Sequence, residues 1–242
     1  MGDRVQLSNK KQAYSKGSNY IKTVSAKTSR QREYIKAIQD NDIVICEGPA
    51  GTGKTHIATA LGVEYLKRNL VKQLIIARPV VEAGEDIGYL PGDTNQKLDP
   101  YVKPVMNELK EYASYSEIAT WKNAHQIEIV PIGYMRGLTF KQSFVIIDEC
   151  QNVQMDQMKM ILSRFGEASK MVISGDTKQS DLDNKQQGGL KFASSLFSKY
   201  PVDGISCIQL GNEDIVRHPV VGKILELWEK HVDIYKIKGI LE

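Results

Sequence analysis

Three short stretches hold residue types whose spacing suits them to chemistry. The first, GPAGTGKT (Gly48–Thr55), meets the pattern GxxxxGK[ST] at every fixed position. Its glycines let the chain curl until successive backbone N–H groups point inward at phosphate oxygens. A helix opening near Thr55 adds the positive end of its dipole. Lys54 supplies a cation for the β- and γ-phosphates of a nucleotide, and the Thr55 hydroxyl a ligand for Mg²⁺. Gly48, Pro49, Ala50, Gly51, Thr52, Gly53, Lys54 and Thr55, with His56 beside them, are the candidate cofactor-binding set. The second stretch, FVIIDE (Phe144–Glu149), ends an apolar run on two carboxylates. Asp148 is placed to hold Mg²⁺ and Glu149 to polarise an attacking water, so Glu149 joins Lys54 as a catalytic candidate. An acidic pair after a strand can instead cap the next helix. The third stretch, SGDTKQSD (Ser174–Asp181), offers Gln179. A glutamine at a strand top can bond both a γ-phosphate and a water, and so report whether the third phosphate is present. Taken alone, that stretch reads better as a plain surface loop.

These residues need elements that carry them to one place. Ser29 reads as the cap of a helix over Arg30–Gln39, with Tyr34, Ile35 and Ile38 on one face. Apolar runs rich in β-branched residues predict strands at Ile43–Gly48, Leu74–Ala77, Ile127–Ile132, Phe144–Asp148, Met171–Asp176 and Ile205–Leu210. Helical stretches at Thr55–Arg68, Met155–Phe165 and Leu190–Phe197 separate several of them, and Val220–His231 reads as a closing helix. Short buried strands alternating with helices predict an α/β fold in three layers, a mostly parallel central sheet with helices on both faces. Such sheets bind ligands outside the carboxyl ends of their strands, which is where all three stretches fall. The segment from Glu82 to about His125, with Pro100, Tyr101, Pro104 and a helix near Val105–Tyr112, breaks the alternation. It reads as an insertion on the strand tops.

Composition narrows the classes. With 242 residues, 41% apolar and 25% charged, the chain is neither disordered nor collagen-like. No apolar run reaches the roughly 18 residues of a membrane span, and the polar start MGDRVQLSNKKQ offers no signal peptide. Cys46, Cys150 and Cys207 are scattered and form no CxxC pair, which argues against a disulfide framework or a zinc knuckle. A cytoplasmic location with reduced thiols is expected. The net charge of +3 hides an asymmetry: residues 1–32 hold eight basic residues against Asp3 alone, a net +7 that leaves −4 on the remainder. A basic arm over residues 1–27 on a mildly acidic body points to an anionic polymer. A solvated tail is the alternative.

The same motifs, in the same order, resemble the PhoH-like ATPases, a family related to the motor core of superfamily 1 helicases. The resemblance covers about Thr28 to Leu225 and rests on long stretches: ICEGPAGTGKT, ARPVVEAGEDIGYLPGD, KLDPYVKPV, YMRGLTF, VIIDECQNV, QMKMILSRFG, SGDTKQSDL and DIVRHPVV. It implies a single RecA-like domain over 28–242 that binds and hydrolyses ATP. Cys150 stands where the family usually carries alanine. By this resemblance Gln31 reads the adenine edge, Arg78 and Arg136 contact nucleic acid or couple it to ATP, and Arg217 neutralises charge on the γ-phosphate. Arg78 and Arg136 fit structural ion pairs equally well. The nuclease or RNA-binding domains fused to some relatives are not expected here.

Two functions compete. One is an ATPase stimulated by single-stranded nucleic acid, RNA favoured over DNA, acting as a helicase-like motor. Helicases of this class set ATP between two RecA-like domains, so a motor built on one implies a homo-oligomer, a hexameric ring in which Arg217 reaches the neighbour's ATP. The other is a nucleotide-dependent regulatory switch without translocation. A small-molecule kinase is disfavoured, since no acceptor site or lid is identifiable.

Overall fold

Six apolar runs become six strands; the four inner ones are buried on both faces, which lets almost every position be apolar, while the two edge strands are only partly covered. β1 (Ile43–Glu47), β2 (Gln73–Arg78), β3 (Ile127–Pro131), β4 (Ser143–Ile147), β5 (Lys170–Gly175) and β6 (Ile205–Gln209) form one sheet. Its order is β3-β2-β4-β5-β1-β6, and every neighbouring pair is parallel. The computed structural model describes residues 21–79, 94–180 (the backbone alone for 94–101), 188–216, and residues 220, 221, 223, 224, 227 and 231. Outside the described residues lie most of the basic arm, the first part of the expected insertion and Arg217. The described positions of the closing helix are helical.

The period of two along each strand separates two cores. Val44 and Cys46 of β1 join Leu74, Ile76, Phe144, Ile146 and Val172 on one face. Ile43 and Ile45 join Ile75, Val145, Ile147, Met171 and Ile173 on the other. Helices α1 (Ser29–Asp40), α2 (Lys54–Lys67), α3 (Thr94–Tyr112) and α4 (Tyr115–Asn123) cover the first face, and α5 (Met155–Leu162) and α6 (Gly189–Lys199) the second. α2 lies close to the sheet because Gly62 has no side chain: a Cβ there would stand 2.7 Å from Leu74 Cδ1.

Two local expectations change. Thr28, not Ser29, caps α1. Its backbone is extended and its hydroxyl accepts from Gln31 N, while Ser29 is already helical. Residues 94–125 supply two helices where one was expected, and they cross from β2 to β3. α3 sinks Val105, Leu109 and Tyr112 into the core, and α4 adds Ile118. A capping box between Ser114 and Glu117 starts α4. No helix among the described residues is long and apolar enough to cross a membrane.

Candidate functional site

β1 ends at Glu47 and the chain turns through the glycine-rich loop into α2. Gly53 makes that turn at φ 87, a left-handed conformation that disfavours side chains, and it stands as the N-cap of α2. Inside the loop the Thr52 hydroxyl donates to Pro49 O at 2.8 Å. Lys54 is curled back on the loop, its Nζ donating to Gly48 O at 2.6 Å and Pro49 O at 2.8 Å. The ammonium is therefore held where it can exchange those two carbonyls for phosphate oxygens.

Asp148 stands just past β4 and is 1% exposed. Four donors hold its carboxylate. Thr55 Oγ1 and Ser174 Oγ each lie 2.9 Å from Oδ1, while Arg78 gives Nη2 at 2.6 Å and Nε at 3.1 Å to Oδ2. Arg78 is thus in the ion pair that the sequence left open. Thr55 and Asp148 together offer a hydroxyl and a carboxylate at one point. That small, hard oxygen set suits Mg²⁺, which keeps waters and phosphate oxygens for its other positions. Among the described residues there is no cluster of three or more acidic, His or Cys side chains to hold a metal without the nucleotide.

Glu149 follows in the left-handed conformation, φ 59, which costs a non-glycine residue on the order of 1 kcal/mol. Its Oε2 accepts from Gln151 Nε2 at 2.9 Å, and Gln151 Oε1 accepts from Asp176 N at 3.4 Å. One glutamine therefore ties the end of β4 to the end of β5. Gln179 sits on a short 3-10 turn, Thr177–Gln179, capped by Asp176. Cys150, between these groups, is fully buried, and burial, with Asp148 and Glu149, pushes its thiol well up.

Gln31, Ala50, Gly51, Gly53, Lys54, Thr55, His56, Asp148, Glu149 and Gln179 line one cleft of about 520 Å³. Gly48 and Pro49 line a separate, neighbouring cleft, and Thr52 is buried inside the loop. Arg136 is exposed elsewhere, on the turn after β3, beside exposed Tyr134 and Leu138. The wall of the cleft that α1 and α3 build was not foreseen beyond Gln31. Gln31 Nε2 donates to Thr52 O at 2.9 Å and its Oε1 accepts from Lys27 N at 2.8 Å, so α1 is tied to the loop. Thr28 Oγ1 in turn donates to buried Asp214, whose other oxygen accepts from Gly211 N. Val216 N donates to Gly51 O at 3.0 Å. Glu108, from α3, completes the wall beside His56. Sequence carried no signal for Glu108 or Gln151, because each is one polar residue among many until the fold places it.

A glycine-rich phosphate loop between β1 and α2, with an acidic pair after β4 in a parallel sheet, defines an α/β phosphate-loop nucleoside triphosphatase fold. The chain belongs to the PhoH-like protein family, whose profile matches residues 23–229. It is 46% identical over 207 residues to a PhoH-like protein of Synechocystis sp. (strain ATCC 27184 / PCC 6803 / Kazusa), covering 86% of this chain and 62% of that one. To a PhoH-like protein of Bacillus subtilis (strain 168) it is 44% identical, covering 86% and 65%. To Protein PhoH of Escherichia coli (strain K12) it is 38% identical, covering 85% and 58%. The chain thus spans about three fifths of the length of the curated relatives it matches. Among solved structures, the large terminase from a thermophilic bacteriophage superposes with a TM-score of 0.46 at 13% identity, covering 77% of this chain and 46% of that one. That likeness is too distant to bear on function.

Proposed function

We propose that the cleft binds ATP with Mg²⁺ and hydrolyses the γ-phosphate, and that turnover is coupled to single-stranded nucleic acid, RNA favoured. Convergence carries this reading: Lys54 and Thr55 after β1, Asp148 and Glu149 after β4, and Gln179 after β5 meet in one cleft. Mg²⁺ held by Thr55 and Asp148 would neutralise charge on the phosphate oxygens. The remaining work falls to the chain. Lys54 and the loop N–H groups bind the phosphates, Glu149, steadied by Gln151, orients a water, and Gln179 senses the third phosphate. Gln31 keeps one donor and one acceptor of its amide beyond those spent on Thr52 and Lys27, enough to pair with the amino group and a ring nitrogen of adenine.

No arginine among the described residues lines the cleft. Arg217, to which the family resemblance gives that role, completes the charge in this reading, reaching ATP on a neighbouring protomer of a ring. Val216, the residue before it, bonds the chain's own loop, so supply from the same chain is the competing outcome. Mixing Lys54→Ala chains with Arg217→Ala chains separates the two. Activity that reappears in mixed assemblies supports the neighbour, and mixtures as dead as each parent at all ratios reject it. The exposed Arg136 and the basic arm support nucleic-acid coupling.

The switch reading has its own support. Lys54 is bonded to loop carbonyls and Asp148 to Arg78, so nucleotide entry must exchange internal partners. The deciding measurement is the ATPase rate with and without single-stranded RNA and DNA. Stimulation by either supports coupling. A rate unchanged by both leaves the switch.

A further inference from the structure

One linked group of side chains takes no part in the steps above. Glu108 and Tyr112 stand one turn apart on α3 and reach the same imidazole. Tyr112 Oη lies 2.6 Å from His56 Nε2, and Glu108 Oε2 lies 3.1 Å from His56 Nδ1. The Tyr112 and His56 rings are 5.2 Å apart, and the Lys22 ammonium lies 5.0 Å from the centre of the Tyr112 ring. α3 cannot drift from α2, because Val105 and Leu109 are fixed in the core. Burial, then the charges of Glu108 and Glu111, push the Tyr112 phenol up to about 12, so it remains a donor at neutral pH. His56 is thus bonded through both ring nitrogens, one to the phenol and one to the carboxylate. The carboxylate is held through one oxygen. Its other oxygen, Oε1, has no hydrogen-bond partner among the described residues.

Lys54, Gln31 and Glu108 line one cleft. Glu108 reaches it beside His56, the residue after Thr55. On the proposed reading Lys54 takes the phosphates and Gln31 the base, so the sugar that joins them lies in the cleft that Glu108 lines. A fixed carboxylate beside a sugar is a good acceptor for its hydroxyls, as the acidic residue of dinucleotide-binding folds is for a ribose 2′-OH.

We propose that Glu108, held by His56 and Tyr112, is a specificity-determining residue that accepts a hydrogen bond from a ribose hydroxyl and selects ribonucleotides over deoxynucleotides. This rests on the nucleotide reading of the cleft. The test is calorimetric binding of ATP, 2′-deoxy-ATP and 3′-deoxy-ATP, each with Mg²⁺, to the full chain. Binding is read rather than turnover, so a defect in hydrolysis does not intrude. The wild-type chain binds ATP roughly tenfold tighter than at least one deoxy analogue, the worth of one hydrogen bond to a charged group. Glu108→Ala binds all three alike, at the affinity of the disfavoured analogue. Glu108→Gln keeps the shape, exchanges the charged acceptor for a neutral one, and retains a preference of roughly threefold. Tyr112→Phe keeps the ring but frees the imidazole, and also shrinks the preference without abolishing binding. A wild-type chain indifferent to the sugar overturns the proposal. So does a Glu108→Ala or Glu108→Gln chain that weakens all three nucleotides equally. A wild-type chain that binds none of the three overturns the nucleotide reading as well.

Discussion

The floor of the cleft and its wall against α1 and α3 are built differently. The floor is made of short contiguous stretches at the ends of β1, β4 and β5. Several of its bonds close within a motif, as Lys54 does to Gly48 and Thr52 to Pro49. The wall is assembled across the chain: His56 to Glu108, Gln31 to Thr52, Thr28 to Asp214. On the proposed reading the floor performs one chemistry whatever nucleotide it holds, since it would meet only phosphates, a metal and water. The wall would meet the parts that differ between nucleotides. Damage to the floor should therefore appear in turnover, and damage to the wall in affinity.

Lys54→Ala gives the largest effect: hydrolysis falls by roughly 10³-fold or more while the melting transition stays in place. Wild-type turnover by the folded variant would break the distinction outright. Glu149→Gln slows turnover by roughly 10²–10³-fold. It still binds ATP and Mg²⁺ in calorimetry, because Thr55 and Asp148 are untouched. Loss of binding there would make Glu149 a metal or structural residue. Arg78→Ala leaves buried Asp148 without its counter-ion and costs about 3–5 kcal/mol in denaturant unfolding. An unchanged midpoint would show the pair to be worth nothing. Leu109→Ala opens a cavity under α3 and costs about 2–4 kcal/mol. At temperatures where it is folded, KM for ATP rises and kcat holds; a fall in kcat alone would erase the contrast between floor and wall.

The last effect is on pH. Burial, with Glu47 and Asp214, raises the Cys46 thiol from an ordinary value near 9 to about 12, although Lys54 and Tyr34 pull it the other way. The folded chain keeps this proton where the unfolded chain loses it. The resulting stability is fully present below pH 9 and is lost as pH climbs toward 12, at about 1.4 kcal/mol per pH unit. Melting temperatures between pH 8.5 and 11 should fall less steeply in Cys46→Ala than in the wild-type chain, and parallel slopes would refute the assignment.

Much of the floor was legible in the sequence because its causes are local. An apolar β-branched run makes a buried strand, a glycine pattern a phosphate loop, and Asp148 follows its strand by one residue. All six strands lie where the runs predict. Local causes fail where two candidates compete nearby, as Thr28 and Ser29 do for the cap of α1. They also fail where a charged residue faces inward. Arg78 looks alike in sequence whether it meets a polymer or a carboxylate 70 residues on. Glu108 and Gln151 owe their places to the packing of α3 and to the spacing of β4 and β5. The helix α4 begins at a capping box, Ser114 and Glu117, whose spacing is present in the sequence itself.

The strand order has a consequence in time. β1, which carries the phosphate loop, is flanked by β5 and β6, so Ile43 pairs with Met171 and Ile205. A growing polypeptide made only as far as β4 holds the loop without either neighbour. At about 5–20 residues per second, roughly 6–25 s of synthesis pass between the appearance of Ile43 and that of Met171. During that interval the loop's residues exist but the cleft does not. On the proposed reading, nucleotide would reward only a chain that has already closed its longest-range pairings, the slowest class of contact to form. An earlier segment thus becomes useful only when a later one has arrived, and ribosomal products that stop before β5 would lack the cleft.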